Sequence, residues 1–148
     1  MLDWISRPFD ALTGRQVHDL LALRQRVFVV EQRCAYLDAD GLDPRCVHVL
    51  GTLRGILVAC ARVVPPGLAY AEPAIGRVVT APELRRRGAG RELMREAIAV
   101  TQRQYPGRAV RIGAQRYLEA FYGSLGFARD GDPYDEDGIP HLPMVLPG

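Results

Sequence analysis

Hydrophobic and polar residues recur along the chain with two different periods, which predicts a mixed α/β protein. After Thr13, a residue suited to capping a helix, the spacings between apolar residues predict a helix with one face on a core. Residues 29–45 lose this period and gather Asp, Gly and Pro, which predicts a loop. The apolar positions of the helix are Val17, Leu20, Leu21, Val27 and Phe28.

Further along the chain, apolar runs with the period of strands alternate with helical patterns. Residues 46–53 and 55–64 meet at Arg54-Gly55 and predict a β-hairpin, with Gly51 as a bulge. In the predicted order, the strands before and after the helix that begins at Gly88 must be parallel, with that helix as the crossover between them. The remaining elements are a strand at 75–81, a helix from Gly88 to about Gln104, a strand at 109–115, a short helix at 116–125 and a last strand at 141–147.

Length and composition indicate one globular domain spanning residues 1–148. With 148 residues and 48% hydrophobic content, the chain is long enough for one core and too short for two ordinary domains. The net charge of +2 argues against a general polyanion-binding protein. The N-terminal residues lack the pattern of a signal peptide and no apolar run reaches membrane-spanning length, so we expect a cytoplasmic protein with no membrane partner.

The three cysteines and the absence of lysine each exclude a class of site. Cys34, Cys46 and Cys60 are odd in number and have no CxxC spacing, so we expect buried or half-buried thiols and no metal. All 19 basic residues are Arg, which excludes a Walker-type phosphate loop because that loop requires a lysine.

The stretch ELRRRGAGREL, residues 83–93, is the strongest local signal. A strand that ends at Ala81 and a helix that begins at Gly88 aim free backbone N–H groups at one spot, which favours an anion site. Gly88 and Gly90 allow close approach of a phosphate, but Leu93 replaces the third glycine of a dinucleotide-binding fingerprint. From these residues alone, a nucleic-acid patch and a solvated turn stay open as alternatives.

The surrounding order of elements resembles the GCN5-related N-acetyltransferases (GNAT). Arg85 to Gly90 stands where this family has its R-x-x-G-x-G pyrophosphate loop, and residues 121–127, FYGSLGF, resemble its F-Y-x-x-x-G-F segment. Four stretches that together cover nearly the whole chain resemble the ElaA-type branch of the family, namely 23–43, 75–94, 112–127 and 134–144.

The resemblance implies an α/β (α+β) fold with a mostly antiparallel sheet, a central splayed pair of parallel strands and flanking helices. It also implies acetyl-CoA-dependent transfer of an acetyl group to an amine, by direct attack in a ternary complex, so that no enzyme nucleophile is needed. Tyr122 aligns with the tyrosine that protonates the departing thiolate. The coenzyme contacts implied are Val78, Val79, Thr80, Arg85, Arg86, Arg87, Gly88, Ala89, Gly90, Arg91, Gln115 and Tyr122.

A protonated amine must lose a proton before it attacks, so a general base is expected. Glu31, Glu136, His48 and His141 are candidates by chemistry, and His141 is the first choice. Acidic residues in 31–43 and 130–137 border the expected acceptor side and predict a preference for amines with a second positive charge. The expected substrate contacts are Glu31, Asp38, Asp40 and Glu136.

Two other classes of function compete with an active enzyme. The first is a coenzyme A-binding or regulatory module of the same fold that lacks catalysis. The second is nucleic-acid binding through Arg85 to Arg91, which lacks a recognition motif and interleaved aromatics, so we expect no nucleic-acid partner. The acceptor is expected to be a small-molecule or peptidyl amine, and the oligomeric state stays open, a homodimer included.

Overall fold

A computed structural model describes residues 2–148, which form one twisted eight-stranded sheet with helices on both faces. The sheet is mostly antiparallel and has one parallel pair of strands, as predicted. Its order is β1-β2-β3-β4-β5-β8-β6, and β7 pairs with β8. The strands are β1 (Asp3–Pro8), β2 (Val47–Leu53), β3 (Ile56–Val64), β4 (Ala74–Thr80), β5 (Val110–Gln115), β6 (Ala128–Arg129), β7 (Tyr134–Glu136) and β8 (Ile139–Leu146).

The predicted first helix exists but changes its winding before it ends. Helix α1 (Gly14–Arg24) begins with a capping box, in which the Thr13 hydroxyl accepts the Gln16 N–H and the Gln16 side chain accepts the Thr13 N–H. It continues as a π-helical segment (Gln25–Glu31), which ends with the Gln32 N–H donating to the Val27 carbonyl at 3.0 Å. This segment leads into the loop that borders the cleft described below.

The predicted hairpin and its bulge are both confirmed. Strands β2 and β3 join through Arg54 and Gly55, both with positive φ as a tight hairpin turn requires. The register shifts between Gly51 and Thr52, and a Cβ at Gly51 would lie 2.6 Å from the Trp4 ring of β1. Gly51 therefore both marks the bulge and leaves room for Trp4.

Two apolar layers cover the sheet and leave one part of it open. Helix α2 (Ala89–Gln104) packs on one face through Leu93, Met94 and Ala97, and the short helix α3 (Glu119–Gly123) lies beside it. Helix α1 covers the other face through Leu20 and Leu23, against β2, β3 and β4. On that second face, β5 and β8 remain uncovered by α1.

Three strands have no counterpart in the predicted order. Strand β1 forms a sheet edge with β2, while β6 and β7 are two and three residues long and pair with β8. The last strand, predicted at 141–147, begins two residues earlier, at Ile139.

Candidate functional site

A large cleft crosses the open face of the sheet between the α1 side and strands β5, β7 and β8. Its volume is about 1260 Å³. One wall contains Phe28, Glu31 and Tyr36, and the opposite wall contains Tyr134 and His141. This volume is large enough for an elongated ligand together with a second, smaller one.

The floor of the cleft is the gap between the parallel strands β4 and β5. The two strands form a single residue pair, Ala74 with Arg111, and the Arg111 N–H donates to the Pro73 carbonyl at 3.0 Å. Beyond that pair, β4 has no partner strand on this side within residues 2–148, and Val78, Val79 and Thr80 line the cleft. An extended polar chain could therefore hydrogen-bond to the free edge of β4.

The predicted anion site lies at one end of this gap, at the start of α2. Arg86 and Gly88 both have left-handed backbones, with φ of 64° and 79°, and Gly88 caps the helix. A Cβ at Gly88 would meet no protein atom within 4 Å, so the space over it is open. The first N–H groups of a helix have no intrahelical partners and are positive, so they suit a phosphate.

The arginines of this loop differ in their surroundings. Arg85 forms a two-point ion pair with Glu31, with one N–H···O distance of 2.8 Å, and this hydrogen bond lowers the pKa of Glu31. Arg91 donates to the Ser124 hydroxyl at 2.9 Å and lies over the Phe121 ring. Arg85, Arg86, Gly88, Gly90 and Arg91 line the cleft, whereas Arg87 and Ala89 do not.

Tyr122 reaches the cleft from α3 while its ring packs between Phe121 and Phe127 in edge-to-face contacts. Burial raises the pKa of its phenol to about 12. The hydroxyl therefore stays protonated at neutral pH and can donate a proton.

Gln115 and His141 are directly opposed residues of β5 and β8, so their side chains share the open face of the sheet. The His141 Nδ1 lies 2.8 Å from the Ile139 carbonyl, an arrangement that assigns the proton to Nδ1 in the neutral ring. Its Nε2 lies 3.3 Å from the Glu136 carboxylate. The ring stacks on Tyr134. His141 thus presents Nε2 beside a carboxylate in the cleft.

His48, the fourth candidate base, belongs to the core. Its Nε2 lies 2.9 Å from the Asp43 carbonyl, and burial lowers the pKa of its ring. It does not line the cleft.

The aspartates of the predicted substrate contacts are held by arginines in a cluster that sequence reasoning did not predict. Asp38 pairs with Arg24 and Arg77, accepts the Tyr36 hydroxyl and does not line the cleft. Asp40 lines the cleft, but both its oxygens accept from Arg62. We name this the Arg–Asp cluster; it contains Arg24, Arg62, Arg77, Asp38, Asp40 and Asp43.

Gly113 and Tyr134 also belong to the cleft and were not predicted. A Cβ at Gly113 would collide with the Tyr134 hydroxyl, so glycine there lets the tyrosine lie against β5. A glycine inside a strand often marks such a close approach, and this was the available signal.

Two further observations describe the chain as a whole. In residues 2–148, no helix has both the length and the apolar character needed to cross a membrane. Cys46 and Cys60 are buried and Cys34 is half-buried, as predicted.

Comparisons with known proteins agree with this geometry. Residues 57–147 match the family model described as acetyltransferase (GNAT) domain. The chain belongs to the GNAT family. It is 46% identical to the UPF0039 protein of Synechocystis sp. over 98% of this chain and 95% of that protein.

Two crystal structures are similar to this GNAT protein, and the first of them places it in the ElaA-like branch. The Escherichia coli ElaA structure is similar with a TM-score of 0.92 and 37% identity, over 98% of this chain and 99% of that chain. An acyl-CoA N-acyltransferase from Pseudomonas aeruginosa is similar with a TM-score of 0.93, 37% identity and the same coverage. The predicted fold class is therefore confirmed, and the fold is that of acyl-CoA N-acyltransferases.

Proposed function

We propose that this GNAT protein is an acetyl-CoA-dependent N-acetyltransferase that acts by direct attack of an amine in a ternary complex. The observation that carries the proposal is the free edge of β4, which opens into the same cleft as the anion site at the start of α2. Acetyl-CoA supplies the acetyl group as a thioester, with an amide-bearing arm and phosphates that match these two features.

The backbone of β4 would bind the coenzyme arm as an additional strand. Backbone groups of the stretch from Val78 to Thr80 would hydrogen-bond to that arm on the side where β5 has splayed away. A backbone N–H near Val79 would also polarise the thioester carbonyl, and one such donor typically contributes about 10²–10³ in rate. Gln115, on the facing strand, would contact the same arm.

The loop between β4 and α2 would hold the pyrophosphate. Gly88 leaves the space over the helix N-terminus open, and the guanidinium groups of Arg85, Arg86 and Arg91 supply positive charge around it. Arg85 is paired with Glu31 in this structure, so a phosphate would compete with that carboxylate.

His141 is our choice for the group that removes the proton of the attacking amine. Its Nδ1 proton is held by the Ile139 carbonyl, which leaves the lone pair on Nε2 to accept a proton. Glu136, 3.3 Å away, would stabilise the charged ring and attract a cationic amine. Glu31 is less suited as a base, because Arg85 lowers its pKa and occupies both of its oxygens.

Tyr122 would protonate the sulfur of the departing coenzyme. Burial keeps its phenol protonated, with a pKa of about 12, and its ring is fixed between two phenylalanines. A fixed donor of this kind typically contributes about 10²–10⁴ in rate.

The test is release of free thiol from acetyl-CoA with a panel of neutral, acidic and dicationic amines, with mass spectrometry of the products. We expect an N-acetylated product and amine-dependent thiol release. Tight acetyl-CoA binding with no product from any amine, small or peptidyl, would favour the alternative of an inactive coenzyme-binding module.

A further inference from the structure

Arg77 occupies a bulge in β4, immediately before the residues that line the gap. Cys60 pairs with Val79 and Arg62 with Gly76, so two residues of β4, Arg77 and Val78, oppose the single residue between them on β3. Arg77 has φ of 50°, a left-handed conformation. For a residue with a side chain this conformation is strained, so the surrounding contacts must hold it.

The side chain of Arg77 contacts the loop that contributes Tyr36 to one wall of the cleft. Its Nε lies 2.9 Å from an Asp38 carboxylate oxygen, and one terminal nitrogen lies 3.2 Å from the Asp38 carbonyl. The same nitrogen lies 3.3 Å from Asp40, and the guanidinium lies over the Tyr36 ring, 5.5 Å from its centre. Arg77 therefore contacts the segment 36–40 at several points.

This segment would keep other anchors if Arg77 lost its side chain. Asp38 also binds Arg24, and Asp40 also binds Arg62 at 2.6 and 2.8 Å. Arg24 and Arg62 are almost completely buried, whereas the side chain of Arg77 is 22% exposed. We therefore expect variants of Arg77 to fold, with the segment attached but less firmly placed.

We propose that Arg77 is a positioning residue that sets the segment 36–40 against the backbone of Val78 and Val79. Its backbone directs the strand that would carry the oxyanion donor, and its side chain fixes Tyr36 and Leu37 on the facing wall of the cleft. An amine that binds against Tyr36 and Leu37 would then be held in a fixed position relative to the thioester carbonyl. The inference rests on the proposed acetyl transfer.

Two substitutions separate the contributions of backbone and side chain. Arg77→Gly keeps the left-handed backbone without strain and removes the contacts with 36–40, whereas Arg77→Ala removes the contacts and retains the strain. Arg77→Lys keeps the charge but cannot reproduce the planar contacts. The matched control is Arg54→Gly, at a residue with φ of 53° in the β2–β3 turn, outside the cleft.

For Arg77→Gly we expect the acceptor KM to rise by about tenfold or more, because small misplacements of reactants are costly. The acetyl-CoA dissociation constant, measured by calorimetry, should change less than the acceptor KM, by about threefold at most, since the phosphate loop is unchanged. Arg77→Ala should in addition lower kcat, Arg77→Lys should give an intermediate acceptor KM, and Arg54→Gly should match the parent.

Hydrogen exchange gives a readout that does not depend on activity. Amides of 36–40 and 78–79 should exchange faster in Arg77→Gly than in the parent, with α1 unchanged and with no increase in Arg54→Gly. Three results for Arg77→Gly would each overturn the assignment. They are parent-like hydrogen exchange, a parent-like acceptor KM, and a loss of acetyl-CoA binding together with general unfolding. A parent protein that acetylates no amine would instead defeat the proposed function, which the same assays report separately.

Discussion

The Glu31 carboxylate and the Arg85 guanidinium form a two-point ion pair at the cleft, joining the end of the π-helical segment to the loop before α2. The pair connects a predicted acceptor contact with a predicted phosphate contact. The Glu31 carboxylate therefore holds Arg85 in place. A bound phosphate would have to displace that carboxylate or share the Arg85 guanidinium with it.

The first prediction follows from this competition. Glu31→Gln removes the negative charge beside the anion site, so the acetyl-CoA KM should fall a few-fold at low salt, and added salt should reduce the difference. Steady-state kinetics at two ionic strengths would measure this. Glu83→Gln is the matched control, because Glu83 is another surface carboxylate paired with an arginine, with both of its oxygens accepting from one nitrogen of Arg26. If turnover by Glu31→Gln instead dropped by about two orders of magnitude or more, Glu31 would be acting as the base.

Gly88 carries the second prediction. Gly88→Ala places a side chain on a backbone with φ of 79° and into the space over the helix N-terminus. If a phosphate binds there, the acetyl-CoA KM should rise by about 10–100-fold, since hydrogen bonds to charged groups contribute about 1.5–3 kcal/mol. Gly55→Ala, at φ of 80° in the β2–β3 turn, is the control for backbone strain. Equal KM values for the two variants would show that the phosphates bind elsewhere.

Tyr122 provides the third prediction. Tyr122→Phe keeps the packed ring and removes the acidic proton, so kcat should fall by about 10²–10⁴ with acetyl-CoA binding unchanged. Tyr117→Phe is the control, because Tyr117 also lines the cleft but is highly exposed. With a phenol pKa of about 12, loss of the Tyr122 proton should not reduce the parent rate below about pH 11. Parent-like kcat in Tyr122→Phe would leave this residue a packing role only.

The fourth prediction concerns the acceptor: we expect Glu136 to cause the preference for cationic amines. Glu31 and Asp40 are both paired with arginines. Within residues 2–148, the only charged partner of the Glu136 carboxylate is His141, so Glu136 is the predicted contact best able to bind a cationic amine. Glu136→Gln should raise the KM of dicationic amines about 3–10-fold at low salt, and neutral amines should change less. An equal, salt-independent loss for every amine would show that Glu136 acts only through His141. Asp132→Asn, on the exposed segment before β7, is the control.

The sequence predicted those parts of the fold that depend on local periodicity. The 3.6-residue period identified α1 and α2, and Arg54-Gly55 identified the hairpin. Strands β6 and β7 are too short to show a period, and β1, with Pro8 at its end, was not distinguished from an irregular terminus. The switch of α1 to π-helical winding at Gln25 also has no counterpart in the hydrophobic spacing.

The candidate site was predictable where it consists of contiguous motifs. The loop 85–90 and the strand before it were identified together because backbone geometry links them. The Arg–Asp cluster was not, since Arg24, Asp43 and Arg77 lie far apart in the chain and each resembles an ordinary surface charge. Only the fold brings them together, and in it the predicted substrate contacts Asp38 and Asp40 also form ion pairs.

The last prediction concerns the stability that this cluster provides. Asp43 accepts hydrogen bonds from Arg24 at 2.9 and 3.0 Å and from Arg62 at 2.9 Å. Burial by itself would raise the pKa of Asp43, but the two arginines outweigh it and lower the pKa. Asp43→Asn leaves the buried guanidinium groups of Arg24 and Arg62 with one carboxylate each, Asp38 and Asp40. We therefore expect a loss of about 2 kcal/mol in the free energy of unfolding at pH 7, the scale of hydrogen bonds to a charged group.

The pH dependence of that loss has a defined sign. A carboxyl whose pKa is lowered by folding stabilises the protein above its unfolded pKa of about 3.9, and this contribution disappears as the pH falls through the folded value. The stability difference between parent and Asp43→Asn, measured by urea denaturation, should therefore be constant from pH 7 to about pH 5 and shrink below about pH 4. Asp132→Asn should show a small difference throughout, because its carboxyl is exposed. If Asp43→Asn were as stable as the parent at pH 7, the pairs of Asp43 with Arg24 and Arg62 would not contribute to folding.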